Sequence, residues 1–247
     1  MKLALLADVH SNLEALTACL DHAAEQGAER HAFVGDLVGY GADPVAVLEI
    51  VESHLERGAI VVQGNHDAAT VDGNTTDMNQ AAAEAIEWTR NQVSQRHREM
   101  LSGLPLLLRA EASVFVHGSA AAPEKWTYVS DPMRAANSLQ AAASSYVFCG
   151  HVHEPVLYYT GASARPVSFR PVPEKPIPVS PHRRWLAVVG SVGQPRDGKT
   201  AACYAMFDTG KSALTFYRVP YDWAAAARKI RSAGLPERLA HRLERGE

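Results

Sequence analysis

Three short apolar runs, separated by two segments with helical spacing, constrain the fold more than any other feature of this sequence. The runs lie at residues 2–7, 32–34 and 59–62, and each has the length and composition of a buried strand. Between them, residues 13–23 and 45–55 carry apolar side chains three or four positions apart. Strands that alternate with helices at this spacing are typical of right-handed βαβ units on a parallel sheet. The sequence therefore predicts an α/β fold.

The rest of the chain is predicted to contain further strands and fewer helices. Helices are predicted at 77–101, as one long or broken helix, at 131–144, and from about Asp222. Strands are predicted at 114–116, 146–149, 156–159, 185–189, 202–207 and 213–219. Residues 171–181 contain five prolines, which favours an extended surface segment over a sheet interior. We expect a single domain over 1–247, with a small helical lobe at about 70–105.

Composition places the chain among globular proteins. Apolar residues make up 47% and charged residues 21% of the 247 residues, and the formal net charge is -3. These values exclude intrinsic disorder and a surface that attracts nucleic acid by bulk charge. The N-terminal apolar run ends at Asp8 and is too short for a signal peptide, and no stretch reaches the ~18 apolar residues of a membrane helix. We therefore expect a soluble, cytoplasmic protein.

Polar side chains of the metal-binding type follow five of the predicted strands. In chain order they are Asp8 and His10, Asp36, Asn65, His117, and His151 with His153. The carboxyl ends of strands in open α/β sheets are where loops converge and ligands bind. A mixture of imidazole, carboxylate and amide suits Mn, Fe, Zn or Co better than Mg or Ca. Seven ligands exceed one tetrahedral ion but match two ions about 3.5–4 Å apart that share a carboxylate, as in phosphoryl displacement.

The motifs Asp-x-His, Gly-Asp, Gly-Asn-His-Asp, a single His and Gly-His-x-His occur here in this order. This order resembles the calcineurin-like metallophosphoesterases. The opening segment Ala-Asp-Val-His-Ser-Asn-Leu-Glu-Ala-Leu and the segment 190–198 are most similar to the compact bacterial, phosphodiesterase-like branch of that superfamily. The resemblance covers residues 1 to about 220 and implies a four-layer α/β/β/α sandwich. It also implies a metal-dependent phosphoric ester hydrolase.

The resemblance further implies roles for individual residues. Asp36 would bridge two divalent ions, with Mn favoured for activity. One ion would be held by Asp8, His10 and His153, and the other by Asn65, His117 and His151. Hydroxide shared by the ions would attack phosphorus in line with the leaving oxygen. His66 would contact the phosphate and help to protonate the leaving group, as the catalytic acid.

Three positions depart from the protein Ser/Thr phosphatases of this superfamily. Those enzymes carry Asp and Arg where this chain has Gly39 and Tyr40, and they usually have Glu where it has Asp67. A protein phosphatase is therefore not expected, and the carboxylate partner of His66 is left open, with Asp67 as one candidate. Tyr40 either lies beside the metals or packs in its turn. Arg196 either meets a substrate anion or belongs to a plain Gly-rich turn.

The leading hypothesis is a dinuclear-metal phosphodiesterase or phosphatase that acts on a small phosphoester, such as a nucleotide. An alternative within the enzymes is a dinucleoside polyphosphate hydrolase. An alternative from another class is a non-catalytic scaffold on the same fold that binds proteins. The complete set of ligand types argues against the scaffold, and the absence of a basic stripe argues against long nucleic acid as substrate. The oligomeric state is left open.

Overall fold

A computed structural model describes residues 1–160 and 166–247 of the chain. The described residues form two six-stranded sheets. The spatial order in the first sheet is β3 (Ile60–Val62), β2 (Arg30–Val34), β1 (Lys2–Leu6), β11 (Ala202–Asp208), β12 (Ala213–Val219) and β9 (Ile177–Pro178). The strands β1, β2 and β3 are parallel, whereas β11 runs antiparallel to β1. The βαβ arrangement predicted for the first 62 residues is therefore confirmed.

The second sheet is also mixed. Its spatial order is β4 (Leu107–Ala110), β5 (Ser113–Val116), β6 (Tyr146–Cys149), β10 (Arg184–Val188), β7 (Val156–Thr160) and β8 (Pro166–Phe169). The central strands β5, β6 and β10 are parallel to one another. The carboxyl ends of three parallel strands therefore meet at one edge of this sheet, as they do in the first sheet.

Helices cover the outer faces of both sheets. They are α1 (Leu13–Glu25), α2 (Pro44–Glu56), α3 (Asn65–Asp72), α4 (Gln80–Gln92), α5 (Gln95–Ser102), α6 (Pro132–Ala142), α7 (Trp223–Ser232) and α8 (Glu237–Arg245). Leu16 of α1 and Leu48 of α2 pack on Phe33 of the first sheet, and Leu139 of α6 packs on Val147 of the second. Between the sheets lies a separate apolar core, listed here by its aromatic members: Phe115, Tyr146, Phe148, Trp185, Phe207 and Phe216. The four-layer α/β/β/α sandwich is confirmed.

The segment 77–101, predicted as one long or broken helix, forms two helices, α4 and α5, because Ser94 caps a new helix by accepting a hydrogen bond from the His97 backbone N–H at 3.2 Å. Other elements differ from the sequence prediction. The proline-rich segment 171–181 contains a short strand, β9, which pairs with β12 at the sheet edge, where a proline breaks no interior ladder. Helix α3 and the strands β4 and β8 were not predicted.

The C-terminal segment forms a helical hairpin of α7 and α8 instead of one helix. Its apolar face, which includes Ile230 and Leu243, packs against Tyr40 and Ala85. Lys229 ties the hairpin to α1 and α2 by donating to Glu14 at 2.5 Å and to Asp43 at 2.9 Å. Asp43 lies at the N-cap position of α2, but its side chain makes no capping hydrogen bond.

The packing of α4 and α5 does not test the domain prediction. Leu101 of α5 packs in the core beneath the first sheet, and Ala82 and Ala85 of α4 pack against the C-terminal hairpin. A single domain with a helical lobe at about 70–105 stays a prediction. In the described residues, the helices are all too short or too polar to cross a bilayer. The three cysteines are buried free thiols.

Candidate metal centre

The predicted metal-binding side chains meet where the carboxyl ends of the two sheets face each other. Asp8 and His10 follow β1, and Asp36 follows β2, whereas His117 follows β5 and His151 and His153 follow β6. They form two buried groups that share one carboxylate: Asp8, His10, Asp36 and His153 in the first, and Asp36, His117 and His151 in the second. Within each group, ligand atoms lie within 4.8 Å of one another. Each sheet therefore contributes about half of the centre.

Asp36 lies between the two groups and is fixed in that position. Its Oδ2 is 3.2 Å from His117 Nε2 and 3.6 Å from His10 Nε2. Its Oδ1 accepts a hydrogen bond from the backbone N–H of His66 at 2.9 Å. One carboxylate oxygen is thus directed at both histidines, which is the arrangement that a bridging ligand requires.

The tautomers of the histidines show that the centre fits cations. The Nδ1 atoms of His10 and His153 lie 3.1 and 2.6 Å from the carbonyl oxygens of Val38 and Gln194. A carbonyl oxygen only accepts, so in the neutral imidazoles these nitrogens carry the protons and the Nε2 atoms present lone pairs. The two Nε2 atoms face each other at 3.1 Å. Two lone pairs at this distance repel unless a cation lies between them, so the donor set suits a metal ion.

Asn65 is the first residue of α3 and lies at the second group. Its Oδ1 is buried and has no hydrogen-bond partner among the residues that the structure describes. Asn65 and His151 line the same cavity. An unpartnered amide oxygen that shares a cavity with His151 is available to a cation, because burying such an atom without a partner is unfavourable.

The backbone at the centre is held in conformations that side chains rarely adopt. Asp8, His10, Asp36, His151 and His153 all have positive φ, between 50° and 68°. A non-glycine residue in the left-handed region costs about 1–3 kcal/mol and persists only where the surrounding structure enforces it. The surrounding structure therefore enforces one backbone arrangement at these five residues.

Burial lowers the pKa of two of these histidines. Burial lowers the pKa of His10 well below 6.5 and that of His151 to about 3, which favours the neutral, ligating imidazole. Burial acts on His117 in the same direction, but the adjacent Asp36 carboxylate overcomes it and raises the pKa of His117 to about 9. Because an imidazolium cannot ligate, cation binding at the second group must release the proton of His117.

His66 lies beside the centre and belongs to neither group. Its ring is buried, with its centroid 4.8 Å from that of His10 and 4.4 Å from that of Tyr40. Its Nδ1 has no hydrogen-bond partner in the described part of the chain. Gly39 faces this nitrogen, because a Cβ at position 39 would overlap with it. Position 39, where the protein phosphatases carry an aspartate, therefore faces His66. Because this chain has a glycine there, the position offers His66 no carboxylate.

Asp67 does not take that place. Its carboxylate accepts from the backbone N–H groups of Leu37, Val38 and Gly64 at 2.9, 3.2 and 2.9 Å. These bonds join α3 to the loop after β2 and close a capping box at the start of α3. In the described residues Asp67 makes no hydrogen bond to His66, and its carboxylate accepts from the backbone instead. The motif Gly-Asn-His-Asp is the sequence feature that could have indicated this helix start.

Tyr40 and Arg196 both lie beside the centre. The Tyr40 ring is 4.5 Å from that of His10, and its hydroxyl oxygen is 3.5 Å from an Arg196 terminal nitrogen. Two further neighbours were not predicted. Tyr128 stacks on His151 with centroids 3.8 Å apart, and Arg242 of α8 lies with its Cζ 5.8 Å from the centroid of Tyr40. Arg242 lies beyond residue 220, where the family resemblance ends, so no motif indicated its position.

Gly64 is required by the close approach of α3 to Asp36. A Cβ on Gly64 would overlap with Oδ1 and the backbone nitrogen of Asp36. We expect Gly64→Ala to destabilise the fold by about 1–3 kcal/mol through overpacking and to weaken metal binding. Urea unfolding and metal analysis would measure both effects. Gly210→Ala is the control, because its Cβ would meet only the Asp208 Oδ1 at an ordinary 3.5 Å. Equal stability of the two variants would contradict the prediction.

Comparisons with known proteins agree with the fold and the centre. An uncharacterized protein of Methanocaldococcus jannaschii is 32% identical over 251 residues, which covers 98% of this chain and 96% of that protein. A metallophosphoesterase from Sphaerobacter thermophilus is 36% identical, with a TM-score of 0.88 over 100% of this chain and 99% of that one. A hypothetical protein from Pyrococcus horikoshii shares the fold at 19% identity, with a TM-score of 0.78 and coverage of 100% and 98%.

The fold and its two buried Asp and His groups define a metallophosphoesterase, with a centre consistent with two metal ions. The chain belongs to the calcineurin-like phosphoesterase superfamily, whose domain matches residues 1–212. The family implies a phosphoester as the substrate.

Proposed function

We propose that this protein is a dinuclear-metal phosphodiesterase or phosphatase that hydrolyses a small phosphoester, such as a nucleotide, and that the chain is one catalytic domain. The observation that carries the proposal is the shared carboxylate: Asp36 belongs to both buried groups of ligand atoms. Two ions held a few ångströms apart by one carboxylate are suited to in-line displacement at phosphorus.

The proposed ligands follow the two groups. Asp8, His10 and His153 would hold one ion, and Asn65, His117 and His151 the other, with Asp36 between them. When bound, two ions such as Mn²⁺ would supply hydroxide near neutral pH and neutralise charge on the phosphate. The backbone carbonyls of Val34, Val38 and Gln194 orient the histidines by accepting from their Nδ1 atoms.

His66 is the proposed general acid. It directly follows the proposed ligand Asn65 in the sequence, and its ring centroid lies 4.8 Å from that of His10. A phosphate bound at the centre would therefore be within reach. Burial lowers the pKa of its imidazole to about 4, so the proton on His66 depends on the negative charge that a bound phosphate would bring beside it. In the described residues Nδ1 has no hydrogen-bond partner, which leaves it free to orient with the substrate. Its proposed task is to hold a proton against the leaving oxygen and to transfer it as the P–O bond breaks.

A cavity of about 480 Å³ beside the second group suits the organic part of such a substrate. Trp126, Tyr128 and Lys125 line it together with Asn65 and His151. Tyr128 is 45% exposed and its ring already stacks on His151. An aromatic wall next to a phosphate site is suited to stack a nucleobase or another flat group.

The test is hydrolysis by protein that has been stripped with a chelator and then reloaded. Mn²⁺, Fe²⁺, Zn²⁺ and Co²⁺ would be added singly, and bis-p-nitrophenyl phosphate and p-nitrophenyl phosphate would be assayed in parallel. We expect no turnover by the stripped protein and metal-dependent turnover after reloading, with two ions per chain. The ratio of the two rates distinguishes a phosphodiesterase from a phosphatase. Absence of turnover with every ion would overturn the proposal and favour the scaffold.

A further inference from the structure

Two arginines with no acidic partner converge beside the metal centre. Arg196 and Arg242 each donate to the same oxygen, Gln194 Oε1, at 3.2 Å. Their Cζ atoms lie 5.9 and 5.8 Å from the centroid of the Tyr40 ring. Among residues 1–160 and 166–247, neither guanidinium is within 4.0 Å of a carboxylate. Two like charges that share one neutral acceptor repel each other unless an anion joins them.

The acids that could neutralise this pair are engaged elsewhere. Asp197 binds Arg218, and Glu237 and Glu244 on α8 both bind Arg231, at 2.7 and 2.6 Å. The Arg196 Nε is buried and has no hydrogen-bond partner in the described residues. Burial and the charge of Arg196 also lower the pKa of Arg242. The two guanidinium groups are therefore half-buried and positively charged, and they lack hydrogen-bond acceptors for some of their N–H groups in the described residues.

The pair is held in place by parts of the chain that are well packed. Arg242 precedes Leu243, which is buried in the core formed by Tyr40 and the C-terminal hairpin. The end of α8 is joined to the loop of Arg196 by a hydrogen bond from Gly198 N–H to the Gly246 carbonyl at 2.9 Å. Two segments that are far apart in sequence thus present their guanidinium groups at one place.

Tyr40 contacts both the arginine pair and the histidines at the metal centre. Its ring contacts His10 and His66, while its hydroxyl oxygen lies 3.5 Å from a terminal nitrogen of Arg196. One aromatic residue therefore separates the arginine pair from the proposed general acid. An anion bound by the arginines would therefore belong to the leaving group of the substrate, next to the proposed general acid.

We propose that Arg196 and Arg242 bind a second oxyanion, on the leaving group of the substrate. This inference rests on the proposed function and narrows its substrate class to phosphoesters that carry another phosphate or a carboxylate close to the scissile bond. A guanidinium pair presents planar forks of N–H donors that match both anions.

Calorimetric titration of the Mn²⁺-loaded protein with three matched probes tests the proposal without turnover. Propylphosphonate carries one anion, 3-phosphonopropionate adds a carboxylate, and propane-1,3-diphosphonate adds a second phosphonate. We expect the wild type to bind at least one of the two-anion probes roughly tenfold or more tightly than propylphosphonate. The probe with the larger gain identifies the anion. No gain for either probe, or no binding of any probe, would overturn the proposal.

Variants then assign that gain to the arginines. Arg242→Gln should remove the gain, so that the two-anion probe binds no more tightly than propylphosphonate, and Arg242→Lys should retain part of the gain. Arg245→Gln removes the same charge from an exposed position of α8 and should keep the full gain. An equal loss in Arg245→Gln, or equal weakening of all probes by Arg242→Gln in a normally folded protein, would contradict a specific site. If the probes discriminate but no phosphoester is hydrolysed, the anion site stands and the proposed function fails.

Discussion

Replacing His66 by alanine should lower the turnover of an alkyl or phenyl phosphoester by about 10²–10⁴-fold, the usual contribution of a general acid, while both metal ions stay bound. The reason is that His66 lies against His10 but belongs to neither group of ligand atoms. Turnover and metal content per chain would be measured on the same preparation. Loss of the ions together with the activity would mean that His66 is a ligand.

The leaving group gives a sharper test of the same prediction. A phenyl ester needs protonation of its leaving oxygen more than a p-nitrophenyl ester does, because p-nitrophenolate is stable as an anion. The deficit of His66→Ala should therefore be larger for the phenyl ester. His182→Ala, at an exposed histidine outside the centre, is the control and should match the wild type on both esters. An equal deficit on both esters would contradict the role of His66 as an acid.

Replacing Asp36 by asparagine should empty both sites. The substitution keeps the shape of the side chain but removes the negative charge that both groups share. We expect metal affinity to fall by more than the ~10–100-fold that follows loss of an outer-shell partner, and turnover to fall to background. Metal analysis after dialysis and the shift of Tm on adding Mn²⁺ would measure the loss.

Two results would contradict this second prediction. One is retention of two ions with the affinity of the wild type, and the other is loss of one ion only, which would remove the bridging role. Asp21→Asn on the exposed face of α1 is the control, because it removes one carboxylate from the surface. It should change neither the metal content nor the Tm shift.

The βαβ half of the fold was accessible to sequence reasoning because its periodicity is strong. Buried strands such as β1 and β2 are continuous apolar runs, and α1 carries a regular apolar stripe. The elements that were missed are short or locally polar. Helix α3 begins within the polar motif Gly-Asn-His-Asp, and its start depends on Asp67 accepting from the Gly64 backbone, which no periodicity reveals.

The candidate centre was largely predictable, whereas its surroundings were not. Each proposed ligand lies in the loop or helix start that follows a strand, so the rule that ligands gather at the carboxyl ends of strands was enough to group them. The neighbours depend on tertiary packing. Arg242 reaches the centre because α8 packs on Tyr40, and Tyr128 does so by stacking on His151. No local pattern in the sequence indicates either contact.

The position of β1 has a consequence for the order of synthesis. β1 lies in the middle of the first sheet, between β2 and β11, and pairs Lys2 with Asp208. On the ribosome, the proposed ligands through His153 emerge before β11, by roughly 3–11 s at ~5–20 residues/s. During that interval the strand that precedes Asp8 and His10, β1, lacks β11, one of its two neighbouring strands. The nascent chain therefore displays its histidines and carboxylates before the framework that orders them is complete, and a product truncated before β11 carries all seven of the proposed ligands without it.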